Sequence, residues 1–235
     1  MATATPTPGA TLDFGRSLTF VSEDPDWIQK ILIGGAFTLL SALLVGIPFV
    51  LGYFARTLRN AAQGAARPLP EWGDLGGIFS EGLRLTAVYL VYALGGVIVA
   101  TAPGCLLMAP AMLASGSHHG EAAGAALAGL GMMASYGLMM LFSLAMLVYL
   151  PAALTRVALS GTVADGFDTR AIVAFIRANV GNYLLSLVIF LVASVASQLG
   201  ILLCCVGLFP AAFWAYLVLA VSLGQTVRLS PGPVA

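Results

Sequence analysis

Glu71, Asp74, Glu81 and Arg84 lie close together in the chain, and carboxylates grouped in this way could do general acid–base work at an interface. That stretch contains no His or Cys and no metal-ligand spacing, so an enzyme built there has little to work with. A second group is soft. Met108, Met112, Met132, Met133, Met139, Met140 and Met146, with Cys105, His118 and His119, could be read as a route for monovalent copper, but a Met-rich packing core is the plainer reading. His118 and His119 are adjacent, so they point to opposite sides of an extended loop with only Glu121 nearby, a poor zinc site. A Ser-based hydrolase needs a base for its nucleophile, and no His, Lys, Asp or Glu falls in the interior of the apolar segments described below. No phosphate-binding Gly-rich loop with Lys, no HExxH and no CxxC occurs. The expected catalytic, metal and cofactor sets are therefore empty.

The elements that would carry such residues are set by the placement of charge. The chain is 60% hydrophobic and 9% charged, against roughly 45–50% and about 25% in soluble proteins. Its ten bases occur only at Arg16 to Lys30, Arg56 to Arg84, Arg156 to Arg177 and Arg228. Runs without Asp, Glu, Lys or Arg separate them: Ile31–Ala55 (25 residues), Leu85–Gly120 (36), Ala122–Thr155 (34) and Ala178–Val227 (50). A span takes about 20 apolar residues, so five hydrophobic segments are predicted, near Gln29–Phe54, Leu85–Leu113, Ala125–Leu150, Tyr183–Leu199 and Ile201–Leu223. The fold class is all-α, a polytopic transmembrane helix bundle with short amphipathic interfacial helices. Residues 13–228 form one membrane domain of weakly repeated helical hairpins, between disordered tails at 1–12 and 229–235. With ten acids against ten bases, no nucleic-acid partner is expected. The lipid bilayer is, and a membrane-protein partner is open.

The positive-inside rule places the Arg-bearing loops in the cytoplasm and the base-free connections near Ser115–Glu121 and Gly200 outside. The first run conflicts with this, because Lys30 and Arg56 flank it. Either it is one tilted helix with an external N-terminus, or it is a re-entrant hairpin broken near Gly46-Ile47-Pro48, and its length favours the single span. Trp27, Lys30, Arg56, Arg59, Trp72, Arg84, Arg156 and Arg177 are the expected interfacial anchors, with Arg56 and Arg59 facing lipid phosphates or pairing with Glu71 and Asp74. Gly95, Gly96, Gly120, Gly124 and Ala128 supply small faces for close helix packing between the second and third segments. Three acids, Asp13, Asp74 and Asp168, each precede a short amphipathic stretch; Asp74 and Asp168 read as N-caps, and the stretches as interfacial helices or as ordinary ends of membrane helices. Asp24 before Pro25 predicts another cap.

The segments Asp24–Gly35, Gly52–Asn60 and Leu69–Leu75 with Glu81-Gly82-Leu83 resemble the prokaryotic membrane family called domain of unknown function 4013. Phe175–Leu184 resembles it too, departing at Val180, where a Pro is expected. The resemblance implies a bacterial or archaeal cell-membrane protein and no particular activity.

Overall fold

The computed structural model describes residues 12–115, 120–202 and 206–230. Those residues are helices and connecting turns: α1 (Phe14–Thr19), α2 (Trp27–Leu40), α3 (Ile47–Ala62), α4 (Leu75–Ser115), α5 (Glu121–Ser160), α6 (Thr169–Ala178), α7 (Val180–Ser197) and α8 (Leu208–Arg228), with short 3₁₀ turns between several of them. Four helical stretches are long and apolar enough to cross a membrane: Leu75–Ala114, Glu121–Ser160, Val180–Leu202 and Leu208–Arg228.

The first apolar run is not one continuous helix. α2 stops at Leu40, a 3₁₀ turn follows, and Leu44 takes a left-handed φ of 64° before α3 begins at Ile47. Gly46 is required there, because its N–H donates to Leu40 O at 3.2 Å and a Cβ would collide with the Phe37 and Leu40 backbone. α3 then returns alongside α2, so that Phe49 stacks on Phe37 with ring centroids 4.4 Å apart. Length had favoured a single span; the local backbone chemistry of the turn decides for the hairpin, at whose tip Leu39, Leu40, Leu43, Leu44 and Val45 are exposed.

Asp74 and Asp168 cap helix starts as expected, and Asp13 does so as well. Asp13 Oδ1 accepts from Arg16 N, Asp74 Oδ1 from Gly77 N and Asp168 Oδ1 from Ala171 N, all within 3.0 Å, satisfying donors that a helix start leaves orphaned. α1 and α6 are separate short helices, whereas the stretch after Asp74 is simply the first turns of α4. Asp24 does not cap a helix beginning at Pro25: α2 starts at Trp27. At the other end of α3, Gly64 (φ 76°) closes a C-terminal motif in which Gly64 N–H bonds to Ala61 O and Ala65 N–H to Asn60 O.

The described chain divides into two compact units, one running to Val88 and resuming at Ala152, the other Tyr89–Pro151. In the first unit α8 is central, with α2, α3 and α7 packed on it, and Tyr53, Ile78, Ile189, Phe213 and Leu217 fully buried. Leu12, assigned to the N-terminal tail by composition, is 4% exposed and its N–H donates to Asn182. α3 and α4 cross at Gly52 and Gly82, where a Cβ on either would strike the other helix's backbone. In the second unit α4 meets α5 where Gly104 faces Gly131, and Gly104 N–H donates to Ser135 Oγ at 3.1 Å. The methionines expected to form a core do not: Met108, Met112, Met132, Met133, Met139 and Met140 are all exposed.

Candidate functional site

The charged residues nearest to one another in the first unit are joined into two ion-pair groups by the Gly64–Asp74 loop. Lys30 Nζ lies 2.8 Å from Asp24 Oδ2 and 2.6 Å from Glu71 Oε1. Asp24 Oδ1 accepts the Asp26 N–H at 2.9 Å. Lys30 and Asp24 are buried, at 4% and 3% exposure, while the Glu71 side chain is 77% exposed. The lysine thus links a buried carboxylate to one at the surface. Burial alone would raise the Asp24 carboxyl, but the Lys30 ammonium and the Asp26 N–H outweigh it and hold it below its ordinary value. Burial likewise opposes charge on Lys30, yet its bonds to Asp24 and Glu71 keep it above the usual lysine value.

The second group is centred on two arginines of α3. Arg56 reaches Asp74 Oδ2 at 2.8 Å and Glu81 Oε1 at 2.8 Å, and Arg59 pairs with the other oxygen of Glu81. Their spacing of three residues puts both on one helical face. The pairing across the loop was half legible: Asp74 was an expected partner, Glu81 was not, and Glu71 went to Lys30.

An aromatic stack lies beside these pairs. Trp72 packs between Phe37 (centroids 5.1 Å) and Tyr53 (4.3 Å), with Phe213 of α8 at 5.4 Å from Tyr53. The Trp72 indole N–H donates to Lys30 O at 3.1 Å, the Tyr53 hydroxyl to Pro70 O at 2.9 Å and Asn60 Nδ2 to Pro68 O at 2.9 Å. Three side chains therefore pin the loop to the α2–α3 hairpin. Of the expected anchors, Lys30 is buried and Trp72 half-buried against the hairpin, while Trp27 is 39% exposed. Arg84 and Arg177 are exposed on α4 and α6, and Arg156 is half-buried in α5. Tyr53, Phe213, Gly52 and Gly82 were missed, because nothing in sequence tells an aromatic or glycine in one helix which distant helix it will meet.

Of the small residues, Gly96 lies under Phe142, with 2.7 Å between a notional Cβ and the ring, whereas Gly95 opens into free space. Gly124 is buried and its N–H bonds to Gly120 O at 2.8 Å; Ala128 is half-buried. His118, His119, Cys204 and Cys205 lie outside the described residues, and Cys105 is an exposed thiol. Among the described residues no three His, Cys, Asp or Glu side chains come together as metal ligands would. A cleft of about 620 Å³ opens in the first unit, lined by Leu18, Val21, Trp27, Ile31, Pro210 and Trp214 among others.

The model of a family described as "Protein of unknown function (DUF4013)" matches residues 36–206. The match takes in Glu71, Asp74, Glu81 and both α3 arginines, but leaves Asp24 and Lys30 before it and α8 after it. No curated protein and no solved structure matches the chain.

Proposed function

The chain belongs to the DUF4013 family, and from that premise we propose that it is a non-enzymatic, multi-pass protein of a prokaryotic cell membrane, serving as a scaffold, accessory subunit or membrane organiser. It crosses the bilayer four times, through α4, α5, α7 and α8, with the Arg-bearing loops on the cytoplasmic side. The α2–α3 hairpin supports this topology. Lys30 and Arg56 converge on one loop, so no base has to be exported and the positive-inside rule is met throughout.

Acid–base chemistry at the loop is disfavoured because each of its acids is engaged: Glu71 by Lys30, Asp74 by Arg56, and Glu81 by Arg56 and Arg59. The observation that carries the scaffold reading is the methionine-rich surface of α4 and α5, where Met132, Met133 and Met140 are 64–73% exposed. Unbranched, polarizable thioethers adapt to a partner's shape. A photo-cross-linking residue at Met133 or Met140 in native membranes should give one discrete protein adduct. Adducts to lipid alone would contradict the scaffold reading.

The cleft favours a second reading, a facilitator for an apolar or lipid-like solute that needs no proton coupling. Ala211 lines it, and Ala211→Trp should then strip co-purifying lipid from the protein as judged by native mass spectrometry; unchanged lipid content would count against that role.

A further inference from the structure

We propose that the first unit holds an indentation of water and phospholipid headgroups alongside α3, reaching well below the membrane surface, so that the cytoplasmic leaflet is thinned on that side only. The proposal rests on the reading that α7 and α8 cross the bilayer.

Contacts along α8 set the levels. At its C-terminal end the Arg228 guanidinium lies against Gly64, 2.7 Å from a notional Cβ there, and Gly224 lies against Leu58 and Ala61 of α3. Further along, Phe213 faces Tyr53 and Trp72, with centroids 5.4 and 6.1 Å away. The rise from Arg228 to Phe213 is about 22 Å at about 1.5 Å per residue. The Gly64–Asp74 loop climbs through the same interval, from the Arg228 guanidinium to the Phe213 ring, without regular structure. Ala66, Arg67, Glu71, Gly73 and Asp74 in it are exposed, and the Glu71 and Asp74 side chains are 77% and 65% open.

Hydrocarbon does not tolerate this. Irregular backbone survives at membrane depth only against protein or water; Asn60 and Tyr53 satisfy Pro68 O and Pro70 O of the loop, but Arg67, Glu71 and Asp74 open outward. A charge at the bilayer centre costs roughly 2.5–3.5 kcal/mol even on the lenient insertion scales. α7 makes the opposite demand over the same levels. It packs on α8 with Ser186 Oγ 3.0 Å from Thr226 Oγ1, and from there it exposes Leu184, Val188, Leu191, Val192, Val195 and Leu199, an apolar stripe that suits lipid. With a hydrocarbon core of about 30 Å, one side of the bundle needs lipid where the other needs water. The indentation satisfies both, and it accounts for a lysine with one carboxylate partner buried and the other in solvent.

The test uses two spin labels in full-length, otherwise cysteine-free protein in phosphatidylglycerol/phosphatidylethanolamine liposomes. Gly73→Cys is on the loop, with nothing within 4 Å of an added Cβ, and Val195→Cys is 73% exposed on α7. Collision with a water-soluble nickel chelate should exceed collision with oxygen severalfold at residue 73, and the ratio should invert at residue 195. Oxygen dominating at both sites would overturn the indentation and leave the four crossings standing. The chelate dominating at both would overturn the indentation together with the reading that this unit crosses the bilayer.

Discussion

Within the most apolar stretch of α8, 56% of the residues are buried in the protein, and in that of α4 only 6% are, although the α4 stretch has the higher mean hydropathy, 2.0 against 1.5. Greasiness and burial are therefore uncoupled between the two units. In water the more apolar helix would go inside. In lipid, tails are as apolar as leucine and no such force acts between helices, so association depends on close backbone approach and polar contacts. The first unit has both, in the Gly52–Gly82 crossing and the Lys30 and Arg56 ion pairs. The described α4–α5 contacts are few, with Gly104 against Gly131, Gly96 under Phe142 and Tyr92 edge-on to Tyr149, and most of the remaining large apolar side chains there are exposed. Its helices, at 41 and 40 residues, are about 60 Å long, roughly twice the hydrocarbon thickness, while α8 with 21 residues matches it.

The comparison breaks most easily at the crossing. Gly82→Leu forces a side chain into the Pro48 and Gly52 backbone, which cannot yield in a packed interior. A loss of more than about 4 kcal/mol is expected, seen as failure to recover monodisperse protein in detergent. Wild-type-like elution and melting would mean the two helices do not approach as described.

Lys30→Met comes next, at about 3–5 kcal/mol, because it leaves Asp24 buried without its cation. The pH dependence gives the sign. In the wild type Asp24 titrates below its ordinary value, so its contribution is complete above about pH 4 and is lost as pH falls through the lower folded value. Lys30 is raised, so its contribution is complete below its ordinary value and lost only in strong alkali. The pair is thus indifferent to pH between about 5 and 10. In the variant burial dominates and raises Asp24 above its unfolded value, so stability lost at pH 7 should partly return on acidification. A melting midpoint that tracks the wild type from pH 5 to pH 8 would remove the pair from the account.

Two adjacent glycines sharpen the contrast within the hairpin. Gly96→Leu must displace Phe142 and should cost about 1–3 kcal/mol. Gly95→Leu meets nothing and should stay within about 0.5 kcal/mol of wild type. Equal melting shifts for the two would show that α4 and α5 do not pack through that face.

Much of the fold was legible because it depends on local chemistry and on a solvent whose signature is composition. Long runs free of charge gave the four helices that are long and apolar enough to cross a membrane, and acids at Asp13, Asp74 and Asp168 marked helix starts. The site was less legible because its parts are brought together by tertiary packing. Lys30 and Trp72 have the residue types of interface anchors, and only the return of α3 alongside α2 leaves the one buried and the other half-buried. That return depends on Leu40 to Gly46, where seven small or apolar residues give no charge or proline cue until Pro48, and 25 apolar residues fit one span as readily as two short arms. The methionines misled for the opposite reason: a thioether is as much at home in lipid as in a core.

The proposed topology, with the Arg-bearing loops in the cytoplasm, depends on the α2–α3 hairpin. Single cysteines at Thr5 and Ser230, each in a cysteine-free background, can be probed in intact cells with a membrane-impermeant maleimide. Four crossings place both ends in the cytoplasm, so neither site should react until the cells are permeabilised. Reaction at Thr5 in intact cells, with Ser230 still protected, would mean that α2 and α3 cross the bilayer as one span.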